Sequence, residues 1–290
     1  MPSSYVSQWE STDPEPLTRD SLLGVLDGKI GCIREPNFVP PDIVARVEEE
    51  LSPKLSPYHD IPGPTLHRVG VAQFEFQAIS DEQLEERSGT GEEKLQYFAV
   101  AKSHANLHED LEQKIGLNIW KAVIDKIAAL LPDYEVAVAE EEPGQKYFSG
   151  IFRAINNSTP IHCDWSPYDS RTEDWLINQV TKQAVFNIYF TEPQGGKTEV
   201  HDCQWTDDAL DWRDFSSYGY SADLVKGRKK VTIQPKPADL CIFNSRNMHQ
   251  VFPVEPGADG KQRPRLTLSS FMGVLPARSA AERPRLILWS

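Results

Sequence analysis

Residues 160–165 read Pro-Ile-His-Cys-Asp-Trp, which places the imidazole of His162 two positions before the carboxylate of Asp164. On an extended chain successive side chains alternate faces, so residues two apart share one. His162 and Asp164 therefore converge on one spot, with Cys163 turned away. Two ligands on one strand do not complete a metal site, and a third has to arrive from elsewhere in the chain. Among seven histidines, His249 is the best placed. It follows the apolar stretch 240–243 and the polar turn 244–247, and the intervening chain holds enough strands to return beside residues 160–165. Two histidines and one carboxylate on one face leave open positions on an octahedral metal, the ligand set of non-haem iron(II) centres. Zinc accepts the same three groups.

A fourth residue adds information. In RPRLTLSSF (263–271), Arg265, Thr267 and Ser269 share one face of a strand, and Leu266 and Leu268 take the other. An arginine buried beside a metal is costly unless it meets an anion, and its fork geometry suits a carboxylate. Thr267 adds a second hydrogen-bonding group. Arg263 lies on the same face and rivals Arg265 for the anion, but Pro264 sets it nearer the loop. A metal and a carboxylate-binding arginine in one pocket imply a dicarboxylate or keto-acid ligand. Asn187 and Tyr189 alternate in VFNIYF and either reach that ligand or form a structural polar pair. Arg153, a charge inside the apolar IFRAI, either binds a substrate carboxylate or pairs with an acid. Trp165, Tyr168 and Trp175 follow the His-x-Asp motif, and Trp165 is the candidate for substrate contact. His201 and Asp202 are adjacent and face opposite ways, so they do not converge. His104 and His108 have helical spacing but lack the HExxH pattern. Both pairs read as structural.

These side chains need elements to carry them. Pro41 opens a helical pattern with Ile43, Val44 and Val47 on one face. A short strand is expected near 30–33, a proline- and glycine-rich loop over 56–70, and a strand in VAQFEFQAI (71–79). The charged stretch 81–94 reads as a solvated excursion. Residues 103–131 carry a helical stripe of Leu107, Leu111, Ile115, Ile119, Val123, Ile127 and Leu130 or Leu131, broken at Gly116. From about residue 134 short β-rich runs alternate with turns, the pattern of a sandwich or barrel. The expected architecture is α+β and mainly β: a double-stranded β-helix, or jelly roll, with N-terminal helices packed outside the sheet. It forms one domain over 1–290, with a flexible arm at 1–15, a helix-rich supporting part at 25–133 and a jelly-roll catalytic core at 134–290.

Four segments, in order, carry a family resemblance: HCD (162–164), EPQGGKTEV (192–200), ADLCIFNSRNMHQV (238–251) and RPRLTLSSF (263–271). They resemble the iron(II)/2-oxoglutarate-dependent oxygenases, over roughly 145–275. The front end at 30–50 looks like that of members acting on amino acids and natural products. The resemblance implies iron(II) on His162, Asp164 and His249, and 2-oxoglutarate anchored by Arg265, with O2 as the oxidant. It also implies a small-molecule substrate. Halogenating relatives replace the carboxylate by glycine or alanine. This chain keeps Asp164, which implies hydroxylation, desaturation or cyclisation instead. Two other readings use the same residues: a jelly-roll binding module without catalysis, and a zinc hydrolase.

Composition bounds the rest. A formal net charge of -13 over 290 residues, without a lysine or arginine tract, argues against nucleic acid or an anionic membrane as partner. The four scattered cysteines read as reduced thiols of a cytoplasmic protein. The polar, acidic N-terminus lacks the pattern of a signal peptide. Oligomeric state leaves no trace in the sequence.

Overall fold

The computed structural model describes residues 6–58, 66–76, 85–86, 89–277, 279 and 281–290. The strands, in chain order, are β1 (Ile33–Glu35), β2 (Ser56–Pro57), β3 (Leu66–Val69), β4 (Glu135–Val138), β5 (Ile151–Ile155), β6 (Lys182–Tyr189), β7 (Gln194–Gly195), β8 (Thr198–Gln204), β9 (Lys230–Ile233), β10 (Leu240–Phe243), β11 (Asn247–Val251), β12 (Val254–Glu255), β13 (Arg265–Leu275) and β14 (Arg285–Trp289). Nine of them form one sheet in the order β1-β10-β6-β13-β5-β3-β2, with β14 and then β4 alongside the far half of β13. All its pairings are antiparallel except β14 with β4. A smaller sheet runs β11-β8-β9, and β7 pairs with β12.

The central strands of the large sheet, β6, β10 and β13, are buried on both faces, and period-two alternation sorts their side chains. Leu266, Leu268, Met272 and Val274 of β13 share one apolar layer with Phe186 and Ile188 of β6, Phe152 of β5 and Leu286 and Leu288 of β14. The same layer takes Leu22 and Val25 of the helix Arg19–Leu26, Val44 and Val47 of Pro41–Leu51, Leu111 and Ile115 of Leu107–Ile115, and Val123 and Ile127 of Ile119–Leu130. The helices thus cover one face of the sheet, as the sequence predicts. Gly116 ends one helix in the left-handed conformation (φ 83°), where glycine has no Cβ penalty. Asn118 then caps the next by accepting from the Lys121 amide at 2.9 Å.

Several expectations need correction. The first strand lies at Ile33–Glu35 rather than 30–33, held on β10. The predicted loop over 56–70 contributes β2 and β3. Residues 73–76 form a 3-10 turn rather than a strand. The cause is Glu75, whose carboxylate accepts from the Ala72 amide and from Arg68 and so curls the chain; 77–79 lie outside the described residues. So does part of the charged excursion (81–84, 87 and 88). Its C-terminal end is not a solvated loop, because a helix spans Glu92–Ser103 and buries Glu93, Tyr97 and Ala101. Thr172 donates to the Glu93 carboxylate at 2.5 Å, which accounts for an acid in that core.

The flexible arm is also corrected from Ser7 onward; 1–5 lie outside the described residues. Ser7 Oγ and the Gln8 amide donate to Asp202 at 2.6 and 3.0 Å. Trp9 is 2% exposed, and its indole donates to the Gly28 carbonyl at 3.2 Å. Trp9→Ala should therefore lower unfolding free energy by about 3–5 kcal/mol, the range for deleting a buried aromatic. Urea denaturation measures it; a change within about 0.5 kcal/mol, typical of surface positions, would restore the arm reading.

Candidate active site

His162 and His249 meet through the backbone before they meet through their side chains. The His162 amide donates to the His249 carbonyl at 2.9 Å, and the His249 amide donates back at 2.7 Å. They form an isolated antiparallel bridge, so residues 160–164 are extended but make only bridges, not a full strand. Asp164 is fixed next to them: its amide donates to the Ser245 carbonyl at 2.8 Å. Its own carbonyl accepts from Ser245 Oγ and Gln183 Nε2, each at 3.0 Å. The alternation inferred from His-x-Asp holds. His162 Nε2 and His249 Nε2 lie 4.0 and 3.3 Å from the Asp164 carboxylate oxygens, and one ligand atom from each residue falls within 4.8 Å of the others.

The far ring nitrogens define which atoms face this point. His162 Nδ1 is 2.9 Å from the Pro160 carbonyl and His249 Nδ1 is 2.8 Å from that of Asn247. Carbonyls only accept, so each Nδ1 carries the proton and donates, leaving the Nε2 lone pairs towards Asp164. Burial, then the neighbouring His249, pulls His162 down to about 4, so its ring is neutral at pH 7. Burial acts to raise Asp164, but the neighbouring His249, His162 and Arg153 outweigh it and lower it to about 2. Two imidazoles with Nε2 turned towards one point and a carboxylate beside them are the donor set of a divalent-metal site, so the residues fit such an ion.

A cavity of about 480 Å³ opens over the three residues. Arg153, Trp165, Asn187 and Arg265 line it, as the sequence reading expects. Arg265 is 4% exposed. Its Nη2 donates to Thr198 Oγ1 at 3.2 Å, and the guanidinium lies 5.3 Å from the Tyr189 ring centroid. Its Nε has no partner among the described residues. A buried guanidinium met only by neutral groups is the cradle that a carboxylate would complete. Ser269 Oγ donates to Asn187 Oδ1 at 2.6 Å, leaving the Asn187 amide group for the cavity.

Two expected ligand contacts are corrected. Thr267 is fully buried behind the wall, its hydroxyl 3.2 Å from that of Ser269. Tyr189 is likewise fully buried and supports Arg265 from behind. The hydroxyl that faces the cavity beside Arg265 belongs to Thr198 on β8, which sequence spacing alone could not single out. Tyr168 stacks on Trp205 (4.2 Å between centroids) outside this cavity, and Trp175 is core, against Tyr97, Phe98 and Tyr147. His108 stacks on Trp120, and its Nε2 donates to the Ser149 carbonyl, a structural role. Tyr58, Phe74, Asp169, Arg213 and Tyr218 also line the cavity; they come from loops without periodicity to announce them.

No family model matches the chain. Comparison with individual proteins is informative. The chain is 33% identical over 235 residues to leucinostatins biosynthesis cluster protein S of Purpureocillium lilacinum, covering 78% of this chain and 86% of that protein. It is 31% identical over 152 residues to L-gamma-glutamyl-L-propargylglycine hydroxylase of Streptantibioticus cattleyicolor, covering 51% of this chain and 50% of that one. Its fold matches an N-substituted L-amino acid dioxygenase of Burkholderia ambifaria solved with alpha-ketoglutarate, with a TM-score of 0.54 at 14% identity, covering 92% and 90% of the two chains. The chain belongs to the iron(II)/2-oxoglutarate-dependent oxygenases and is an enzyme. This sets aside the non-catalytic module and the zinc hydrolase.

Burial lowers His108, His162 and His201 each to about 4, below the free value of about 6.5. As pH falls the unfolded chain takes up these protons first, so the folded state loses stability. As pH falls from about 6.5 towards 4, metal-free protein should lose on the order of 1 kcal/mol per histidine per pH unit, offset in part by Asp169, which burial raises to about 7. Urea midpoints that stay level from pH 7 to 5 would contradict this.

Proposed function

We propose that His162, Asp164 and His249 hold iron(II), that Arg265 with Thr198 anchors the far carboxylate of 2-oxoglutarate, and that the enzyme oxidises an unactivated C–H bond of a small molecule. Asn187 offers its amide to the same cosubstrate, and Arg153 and Trp165 face the substrate. Amino acid derivatives and secondary metabolites are the substrate class, and hydroxylation, desaturation or cyclisation the outcome. The large sheet and β11-β8-β9 are read as the two halves of a double-stranded β-helix, in one domain. The four cysteines are free and buried, which supports a cytoplasmic setting. No helix among the described residues is long and apolar enough to cross a membrane.

The observation that carries this reading is the buried Arg265 guanidinium, without a carboxylate partner among the described residues, on the wall of the cavity that holds the triad. When bound, iron(II) supplies the activation of O2 coupled to oxidative decarboxylation of the cosubstrate. The chain's own residues prepare the site. Pro160 and Asn247 carbonyls hold the two imidazoles in the Nε2-ligating tautomer. Ser245 and Gln183 hold the Asp164 backbone, so its carboxylate stays aimed at the histidines. Arg265 sets the orientation of the cosubstrate, which fixes its metal-binding end by distance. Phe243 packs on His249 at 5.1 Å between ring centroids and Tyr218 packs on His162 at 5.6 Å. These rings restrict water at the ligands.

Anaerobic titration of iron(II)-loaded protein with 2-oxoglutarate, followed by the visible metal-to-ligand charge-transfer band, tests the assignment. Wild type should give the band. Arg265→Ala should need about 10–100-fold more cosubstrate, the value of a charge-assisted hydrogen-bonded pair. His162→Ala should fail to retain stoichiometric iron. No band in wild-type protein shown to contain iron would overturn the reading.

A further inference from the structure

The inner face of the large sheet carries more arginine than its own acids neutralise. Arg68 of β3 and Arg153 of β5 are directly opposite each other in the antiparallel register. Side chains of opposed residues lie on the same face about 5 Å apart, and like charges there repel. One acid, Glu75, serves this pair, and Arg68 takes it entirely. Arg68 Nε and Nη2 donate to the Glu75 carboxylate at 2.9 and 2.5 Å, and the Ala72 amide donates to the same group at 2.8 Å. Arg153 has no carboxylate within ion-pair distance among the described residues. Its Nε is buried and unpartnered, its guanidinium lies 5.7 Å from the Phe74 ring centroid, and its side chain faces the cavity. Among the described residues, the alternative reading of Arg153 as half of an internal salt bridge is not met.

The charges of the site sharpen the point. In the occupied site a dication, Asp164, the two carboxylates of 2-oxoglutarate and Arg265 cancel. Asp169, which burial raises to about 7, and Arg213 line the same wall. Arg153 is left over. A half-buried cation with a buried, unpartnered Nε and no acid beside it among the described residues favours an anion in the cavity, which a bound ligand can supply.

We propose, on the basis of the function assigned above, that the substrate is a carboxylate and that Arg153 binds its carboxylate group against Phe74 and Tyr58. Arg153 lines the same cavity as His162, Asp164 and His249, so a carboxylate on it sits in the pocket that holds the metal ligands. A cavity of about 480 Å³ lies within the range of ligand clefts, roughly 300–1,000 Å³, and accommodates a substrate beside the cosubstrate.

The probe is a panel of free and N-acetylated L-amino acids with their matching primary amides, read by the melting temperature of nickel(II)- and 2-oxoglutarate-loaded protein, in which no turnover occurs. At least one acid should raise the melting temperature by about 2 °C or more, the scale of a saturating ligand for a chain this size, while its amide does not. Arg153→Leu should abolish that shift, and Arg153→Lys should keep part of it. Arg153→Gln serves as a second neutral variant should the leucine variant fail to fold. The charge-transfer titration with 2-oxoglutarate should change less than threefold in the neutral variant. If acids and amides act alike, or if no acid shifts wild type, the carboxylate assignment is overturned. If the neutral variant loses the 2-oxoglutarate band, Arg153 serves the cosubstrate and the proposal falls. The panel is repeated on metal-free protein. An acid-selective shift lost in the Arg153 variants there supports the carboxylate site even where no band forms in wild type, so the two readings fail separately.

Discussion

The organisation of the molecule depends on a strand that is buried on both faces and polar on one. Every residue of β13 is buried. Its even-numbered apolar residues enter the layer beneath the helices, and Arg265, Thr267 and Ser269 turn to the other side. A slip of one residue would drive Arg265 into the leucine layer and lift Leu266 to the cavity. Burial of a guanidinium among aliphatic side chains costs several kcal/mol, as does exposure of the apolar face to the polar one. The two penalties have the same sign, so the register that makes the core is also the register that makes the site. Pairing with β6 on one side and with β5 and β14 on the other leaves β13 no freedom to choose otherwise.

Polar groups on that inner face fall into two kinds. Some are satisfied within the chain: Ser269 with Asn187, Thr267 with Ser269, Arg68 with Glu75. These rigidify the wall, since a satisfied buried network has few alternative arrangements. Others are held in place but left short of partners, above all the Nε groups of Arg265 and Arg153. Their neighbours are hydroxyls and rings, which position a guanidinium without neutralising it. The result is a positive interior in a chain of formal net charge -13. The acidic surface gives no long-range attraction to an anion, so selection for anions must act at short range, inside the cavity.

The sequence revealed the parts of this arrangement that obey a period. His-x-Asp, the alternating RLTLS and the stripe from Leu107 to Leu131 each follow a spacing that physics fixes, and each lies where the spacing puts it. The third ligand, His249, was reachable because few histidines compete and because a buried-looking strand precedes it. What was not legible depended on contacts between distant segments. Thr198 reaches Arg265 only because β8 crosses to the cavity after a turn at Gly195 and Gly196. Both glycines have positive φ, and a Cβ on Gly195 would lie 2.5 Å from the Pro253 carbonyl oxygen. Glu75 turned an alternating segment into a 3-10 turn through a salt bridge to Arg68 that local pattern does not encode. The docked Trp9 was hidden for the same reason: its own partners are at Gly28 and Lys229, and those of the preceding Ser7 and Gln8 are at Asp202.

These long-range contacts also change what the first half of the chain is for. By periodicity it is a helical support for the sheet, and its helices do fill that role. Yet β1 joins one end of the large sheet and β2 and β3 the other, and the residues that follow β2 and β3 bring Tyr58 and Phe74 to the cavity wall. The division between a supporting part and a catalytic core therefore does not coincide with residue 134. The triad and Arg265 lie on segments after residue 160 and answer to the shared chemistry of the family. The wall around Arg153 is closed by earlier segments that the triad does not constrain. Changes there alter which molecule fits while leaving the metal ligands and the anchor in place, which is the physical basis for one reaction serving different substrates.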